Sequence, residues 1–237
     1  MKKIFTKSAV LAIALLSSSC AIIPIPIPIP IAIDSGSAEV SHSPSPEQSA
    51  TKLDEKYKKT CYADALTENE GRKITESSGS LEVLADKLAA TGKHKEAIRK
   101  YNEANAASLN EAIANGEIED MDISAIWHGW LGEGVEGFKK ENQALLQKSA
   151  ESNFKIGRSY VQIGKFELAA DCFDEALELG ILPPNDAVVH LNRGDTHARM
   201  GAKYKAKADL KQAIVLFKKY KLPSYQKEAE KRLEAIK

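Results

Sequence analysis

The chain has 237 residues, of which 43% are hydrophobic and 28% are charged, and its 33 basic side chains balance its 33 acidic ones. This composition suffices for a folded core, while the lack of a basic excess disfavours a nucleic-acid partner. Three cysteines are too few for a disulfide-rich scaffold or a four-thiolate zinc site.

The N-terminal residues have the order of a secretory signal peptide. Three lysines precede an apolar run, Ala9–Leu16, which is followed by three serines and Cys20. This run is shorter than the roughly 20 residues that span a bilayer. A cysteine directly after small residues resembles the bacterial lipoprotein signal, in which the cysteine becomes the lipid-bearing N-terminus. The resemblance predicts a signal peptide at 1–19 and lipidation of Cys20. An ordinary secreted protein with a chance cysteine, or an uncleaved anchor, are the alternatives.

Residues 20–52 have the composition of a tether. Residues 22–33 read IIPIPIPIPIAI, and alternating prolines prevent a helix and favour an extended chain on the order of 35 Å long. Residues 34–52 are rich in Ser, Pro and Glu, which predicts disorder. We interpret 20–52 as a stalk between the lipid and a folded domain, although its isoleucines also suit contact with lipid or with a partner.

From Leu53 to the C-terminus, Ala, Leu, Glu and Lys dominate, which favours helix. Three segments repeat one spacing: a glycine, an alanine five residues later, an aromatic residue or Leu after four more, and an alanine after three more. Glycine permits a turn with positive φ, and alanine permits a close helix crossing. Each segment therefore predicts two helices that must stack on their neighbours. The positions are 92–97–101–104, 164–169–173–176 and 201–206–210–213.

These residues resemble the tetratricopeptide repeat, whose unit has 34 residues. The resemblance is strongest over ESNFKIGRSYVQIGKFELAADCFDEALELG, at residues 151–180. It implies an all-α fold over 53–237, a right-handed solenoid of helix–turn–helix repeats. The expected repeats are about 78–111, a degenerate repeat over 112–149, then 150–183 and 187–220, with a capping helix at 224–236.

The resemblance also implies a function, that of a non-enzymatic protein-interaction scaffold without a cofactor. The first helix of each repeat would line a groove for a peptide or protein partner, with arginines to pair with a carboxylate and Phe154 and Leu191 as apolar anchors. The expected role is to assist assembly of an envelope, secretion or pilus component, in an outer-membrane lipoprotein facing the periplasm. Carried onto this sequence, the groove positions are Glu82, Asp86, Ala89, Phe154, Arg158, Val161, Leu191, Asp195 and Arg199.

Two other classes of function are alternatives to the scaffold. One is an accessory subunit of an envelope enzyme or transporter, or a small-ligand-binding protein that uses Trp127 and Trp130. The other is a self-contained enzyme, for which no residue constellation is present. The GxGxxG pattern at 132–137 matches a dinucleotide fingerprint. However, no predicted strand precedes it and its two glutamates would repel a pyrophosphate.

The remaining candidate groups favour structural interpretations. His190 and His197, seven residues apart, share a helix face that points into the repeat, which predicts packing histidines rather than metal ligands. For Cys172 a buried free thiol is favoured over a disulfide with Cys61. Residues 203–237 hold eleven basic and four acidic side chains, which suits a solvated face, electrostatic orientation of a partner or, with less support, contact with anionic lipid headgroups.

Overall fold

The computed structural model describes residues 60–66, 68–117 and 142–236. This part of the chain contains eight α-helices and no strand, so the predicted all-α fold is confirmed for it. No helix within these ranges is long and apolar enough to cross a membrane. The predicted signal peptide, Cys20, the tether, Trp127, Trp130 and the glycine-rich pattern lie outside the described residues. The helices are α1 (Glu68–Gly71), α2 (Ser78–Ala90), α3 (His94–Ala114), α4 (Gln143–Gln162), α5 (Phe166–Glu178), α6 (Asn185–Arg199), α7 (Lys203–Lys219) and α8 (Pro223–Ala235).

Six of these helices form three consecutive pairs, α2–α3, α4–α5 and α6–α7, and each pair also packs against the next. The turn within every pair contains a glycine in the left-handed region. The φ angles of Gly92, Gly164 and Gly201 are 79°, 75° and 75°. Residues with a Cβ rarely adopt this conformation, which explains why glycine recurs at this position.

The spacing that repeats in the sequence marks the buried side of each second helix. The three crossing alanines, Ala97, Ala169 and Ala206, are fully buried. The larger residues four positions later, and the alanines three positions after those, are buried as well. Residues from α2 to α6 form one core cluster and residues from α6 to α8 form a second, and Phe154 packs against both.

The first and second pairs are direct neighbours, because α3 packs against α4. The degenerate repeat predicted over 112–149 falls mostly on residues that the structure does not describe, so it stays a prediction. Residues 112–114 belong to α3 and residues 143–149 belong to α4. Residues 115–117 and 142 lie outside both helices, and residues 118–141 lie outside the described part of the chain.

The last helix, α8, covers the end of the third pair. Pro223 is at its first position, where a missing N–H costs no helical hydrogen bond. Ala229 is fully buried, and Tyr225, Leu233 and Ile236 pack against the second core cluster. The ring of Tyr225 stacks on that of Phe217, with 5.4 Å between the ring centroids.

Candidate functional site

The first helices of the first two pairs are joined by a group of charges. The Lys155 ammonium on α4 lies 2.6 Å from Glu82 Oε1 and 3.1 Å from Asp86 Oδ2, both on α2. It also lies 5.7 Å from the centroid of the Tyr101 ring, whose hydroxyl donates to Asp86 Oδ1 at 2.6 Å. Burial opposes the charge on Lys155, but the bonds to the two carboxylates raise its pKa above the ordinary value. The two predicted acidic positions, Glu82 and Asp86, are thus brought together, and Lys155 binds both of them.

Arg158 lies one helical turn after Phe154 on α4, and its guanidinium carbon is 5.8 Å from the centroid of the Phe154 ring. The Phe154 ring in turn lies 6.0 Å from that of Phe173 on α5, so its position is fixed by the core. Of the other predicted positions, Ala89 and Val161 are partly buried and pack against the first core cluster. We call the surface formed by Glu82, Asp86, Phe154, Lys155 and Arg158 the first-helix face.

The predicted positions on α6 have different surroundings. Leu191 is only 2% exposed and belongs to the second core cluster, so the expectation that it anchors a partner is not met in this structure. The Asp195 carboxylate forms an ion pair with Arg232 of α8. The Arg199 guanidinium carbon lies 5.6 Å from the ring centroid of Phe166 on α5. The structure therefore does not bring these three residues into the first-helix face.

The two histidines of α6 bind a buried carboxylate on α7. His190 Nδ1 and His197 Nδ1 lie 3.1 and 3.0 Å from the two oxygens of Asp209, and Arg193 Nε lies 3.0 Å from Oδ2. Arg193 also pairs with Asp174 of α5. Burial opposes ionisation of Asp209, but the bonds from both histidines and from Arg193 hold its pKa well below the usual range. This network connects α5, α6 and α7.

A short segment, residues 60–66, is fixed to the second pair by a disulfide between Cys61 and Cys172 of α5. The expectation of a free thiol at Cys172 is therefore wrong. The Cys61 N–H donates to Asp171 Oδ2 at 2.6 Å, and the Tyr62 hydroxyl donates to Glu175 Oε2 at 3.2 Å. We call residues 60–66 the strap.

Polar contacts to α3 and α4 hold the other half of the strap. The Tyr160 hydroxyl of α4 donates to Asp64 Oδ2 at 2.8 Å, and Asn102 Nδ2 of α3 donates to the Asp64 carbonyl at 3.0 Å. The strap thus contacts helices of both the first and the second pair.

The helix under the strap, α5, carries five acidic residues and no basic one. Burial raises the pKa of Glu175 to about 7, and the charges of Asp171 and Glu178 add to this effect. Burial likewise raises the pKa of Asp171, although the hydrogen bond from the Cys61 N–H acts to lower it. In the described part of the chain, no group of three His, Cys, Asp or Glu side chains is arranged to hold a metal ion.

Sequence reasoning did not predict that Lys155 binds Glu82 and Asp86, or that Asp209 is the acceptor for both histidines. A partial signal was present, because Lys155 and Arg158 are three residues apart and so share a face of α4. For Asp209, the signal is that it is the one acidic residue of α7 and lies three residues from the crossing alanine, Ala206. Neither spacing identifies the partner helix.

Comparison with known proteins matches residues 150–179 to the model of the tetratricopeptide repeat. The matched residues cover α4 from Ala150 and the whole of α5, the second helix pair. Together with the three stacked pairs, this match supports an all-α fold of tetratricopeptide-like helical repeats in the described part of the chain. Such repeats are generally non-enzymatic and suggest a protein-interaction scaffold. No curated protein and no solved structure matches the chain.

Proposed function

We propose that this protein is a non-enzymatic interaction scaffold, held in the bacterial cell envelope by a lipid on Cys20. In this proposal, a peptide or protein partner binds the first-helix face, and the complex assists assembly of an envelope, secretion or pilus component. The tetratricopeptide match and the stacked helix pairs support the scaffold. The order of charges, apolar residues and Cys20 in the sequence supports the tether.

The proposed binding face is supported mainly by the contacts that Arg158 makes within the protein. Its guanidinium lies over the Phe154 ring, at 5.8 Å from the ring centroid, and makes no hydrogen bond or ion pair with any residue that the structure describes. The nearest acids on the same face, Glu82 and Asp86, are already bound by Lys155. Arg158 therefore keeps its donors available for a bidentate bond to a carboxylate of a partner. The Phe154 ring below it adds an aromatic contact of the kind that dominates binding energy at interfaces.

The face can be tested by cross-linking in native membranes. Wild-type protein is expected to give a cross-linked partner, and Arg158→Glu is expected to lower its yield about tenfold or more, because the reversed charge repels the partner carboxylate. Lys95→Glu is the matched control: it makes the same charge change on an exposed residue of α3. Unchanged cross-linking by Arg158→Glu, or an equal loss in Lys95→Glu, would refute the proposed face. Circular dichroism of each variant checks that the helices are retained.

The tether has a separate test, mass spectrometry of protein extracted from its native membrane with detergent. A polypeptide that begins at Cys20 and carries acyl chains supports the proposal, and Cys20→Ser should remove the acyl mass. A mature chain that begins elsewhere without lipid would contradict the tether and leave the binding face untouched.

A further inference from the structure

The outward side of α7 carries two exposed apolar side chains among lysines. Tyr204 and Val215 are 89% and 60% exposed, and Lys211 lies between them on the same line, since the three are seven and four residues apart. The opposite side of α7 is buried through Ala206, Leu210, Ala213 and Phe217. We call the outward side the lysine face; its lysines are Lys203, Lys205, Lys207, Lys211, Lys218 and Lys219.

No acidic side chain offsets these charges on α7. The one acid of the helix, Asp209, is buried and bound by His190, Arg193 and His197. None of the six lysines forms an ion pair with any other residue in the described ranges. The lysine face thus carries six lysines along a 17-residue helix that is about 25 Å long.

We propose that the lysine face contacts the surface of an anionic phospholipid bilayer. The charges are all lysines, which are strongly hydrated point charges on flexible stems and so suit a layer of headgroup phosphates. A specific protein interface would instead favour arginine, and lysine is depleted there. Tyr204 has an apolar ring and a polar tip, the combination enriched at membrane–water boundaries. Lysine stems can also lie along apolar surface while their ammonium groups stay in the headgroup region.

The contact is modest and does not require a tether, although a tether would strengthen it. One lysine near an anionic bilayer strengthens partitioning about fivefold, so four lysines in contact give a gain of several hundredfold. Such a contact is reversible and sensitive to salt, because screening acts over about 8–10 Å. A lipid on the same chain would keep the lysine face at a high effective concentration near the bilayer. The proposal goes beyond the interaction scaffold, and the lysine face does not depend on lipidation of Cys20.

The test is vesicle flotation of the full chain carrying Cys20→Ser, so that no acyl group contributes. Binding is compared for vesicles of phosphatidylcholine and vesicles that also contain phosphatidylglycerol, and the difference isolates the charge-dependent part. Lys211→Gln with Lys218→Gln is expected to weaken the charge-dependent binding about 30-fold. Lys87→Gln with Lys95→Gln removes the same charge from exposed residues of α2 and α3 and is expected to leave it unchanged.

A second readout locates the contact on the unaltered sequence of α7. Acetylation of lysines, followed by mass spectrometry, should show Lys207, Lys211 and Lys218 protected by the phosphatidylglycerol vesicles, while Lys87 and Lys95 stay reactive. Equal binding to both kinds of vesicle, equal loss in the two double variants, or no protection on α7 would overturn the proposal. Protection of α7 by an acidic protein with none by vesicles would also overturn it. The vesicles contain no protein, so these outcomes are independent of the partner that binds Arg158.

Discussion

Replacing Asp209 with asparagine tests whether the buried carboxylate network holds the third helix pair on the second. The variant keeps the size of the side chain but removes the charge that His190, Arg193 and His197 bind. Removing one partner of a buried ion pair costs about 3–5 kcal/mol, because the other charge stays buried and unpaired. Asp174, which is half exposed, still pairs with Arg193. We therefore expect Asp209→Asn to lower the free energy of unfolding by about 2–4 kcal/mol.

Urea unfolding followed by circular dichroism measures this loss, with Glu234→Gln as the control. Glu234 is an exposed acid on α8, and its replacement should change the free energy of unfolding by less than about 0.5 kcal/mol. The folded-state pKa of Asp209 lies below its ordinary value, so its contribution is present above the unfolded pKa of about 3.9 and is lost as the pH falls through the folded value. The difference between wild type and Asp209→Asn should thus shrink below about pH 4. A loss under about 1 kcal/mol at neutral pH, or a difference that grows on acidification, would refute the reasoning.

Three further predictions concern the second pair and the strap, and Gly79 on α2 of the first pair supplies a control for one of them. Cys61→Ser with Cys172→Ser should lower the free energy of unfolding by about 2–4 kcal/mol, because the disulfide spans 111 residues of the unfolded chain. Gly157→Ala should lower it by about 1–3 kcal/mol, since a Cβ would lie 2.7 Å from an aromatic ring of α5. Gly79→Ala on α2, which meets nothing within 4 Å, should raise it by about 0.5–1 kcal/mol. The pKa of Glu175 is raised to about 7, so folding takes up a proton and wild type should become more stable from about pH 8 to pH 6, a gain that Glu175→Gln removes.

Urea unfolding checks all three predictions, at several pH values for Glu175. Adding a reductant to wild type should reproduce the loss in the cysteine variant, and no effect of either would contradict a disulfide in solution. Equal effects at the two glycines would show that the ring contact is not what makes glycine necessary at 157. If Glu175→Gln kept the rise in stability on acidification, another group would be responsible for it.

The helix pairs could be predicted from the sequence because their signals are local. A turn glycine, a crossing alanine and the next two inward positions lie within twelve residues, so one spacing determines the turn and the buried face together. The buried alanines and the positive φ of Gly92, Gly164 and Gly201 confirm this interpretation.

The contacts between distant segments could not be predicted in the same way. The disulfide joins residues 111 positions apart, and only the path of the strap across α5 brings the two sulfurs together. Lys155 binds acids more than 60 residues earlier because α2 and α4 come together when their pairs stack. The groove positions on α6 were assigned as if that helix were uncovered, whereas Arg232 of α8 binds Asp195 and the second core encloses Leu191.

The position of α8 limits where a partner can bind in the proposed scaffold. Leu191 and Asp195 are in contact with other parts of the protein. The groups available to a partner therefore lie on α2 and α4, where Lys155 binds both acids and Arg158 pairs with no acid among the described residues. An α-helix with its side chains is about 10–12 Å wide, so a peptide that crosses both α2 and α4 covers on the order of 20 Å. An extended chain rises about 3.3 Å per residue, which corresponds to roughly six residues. The partner segment expected from this geometry is therefore short and extended, with one carboxylate for Arg158 and an apolar side chain close enough to reach Phe154.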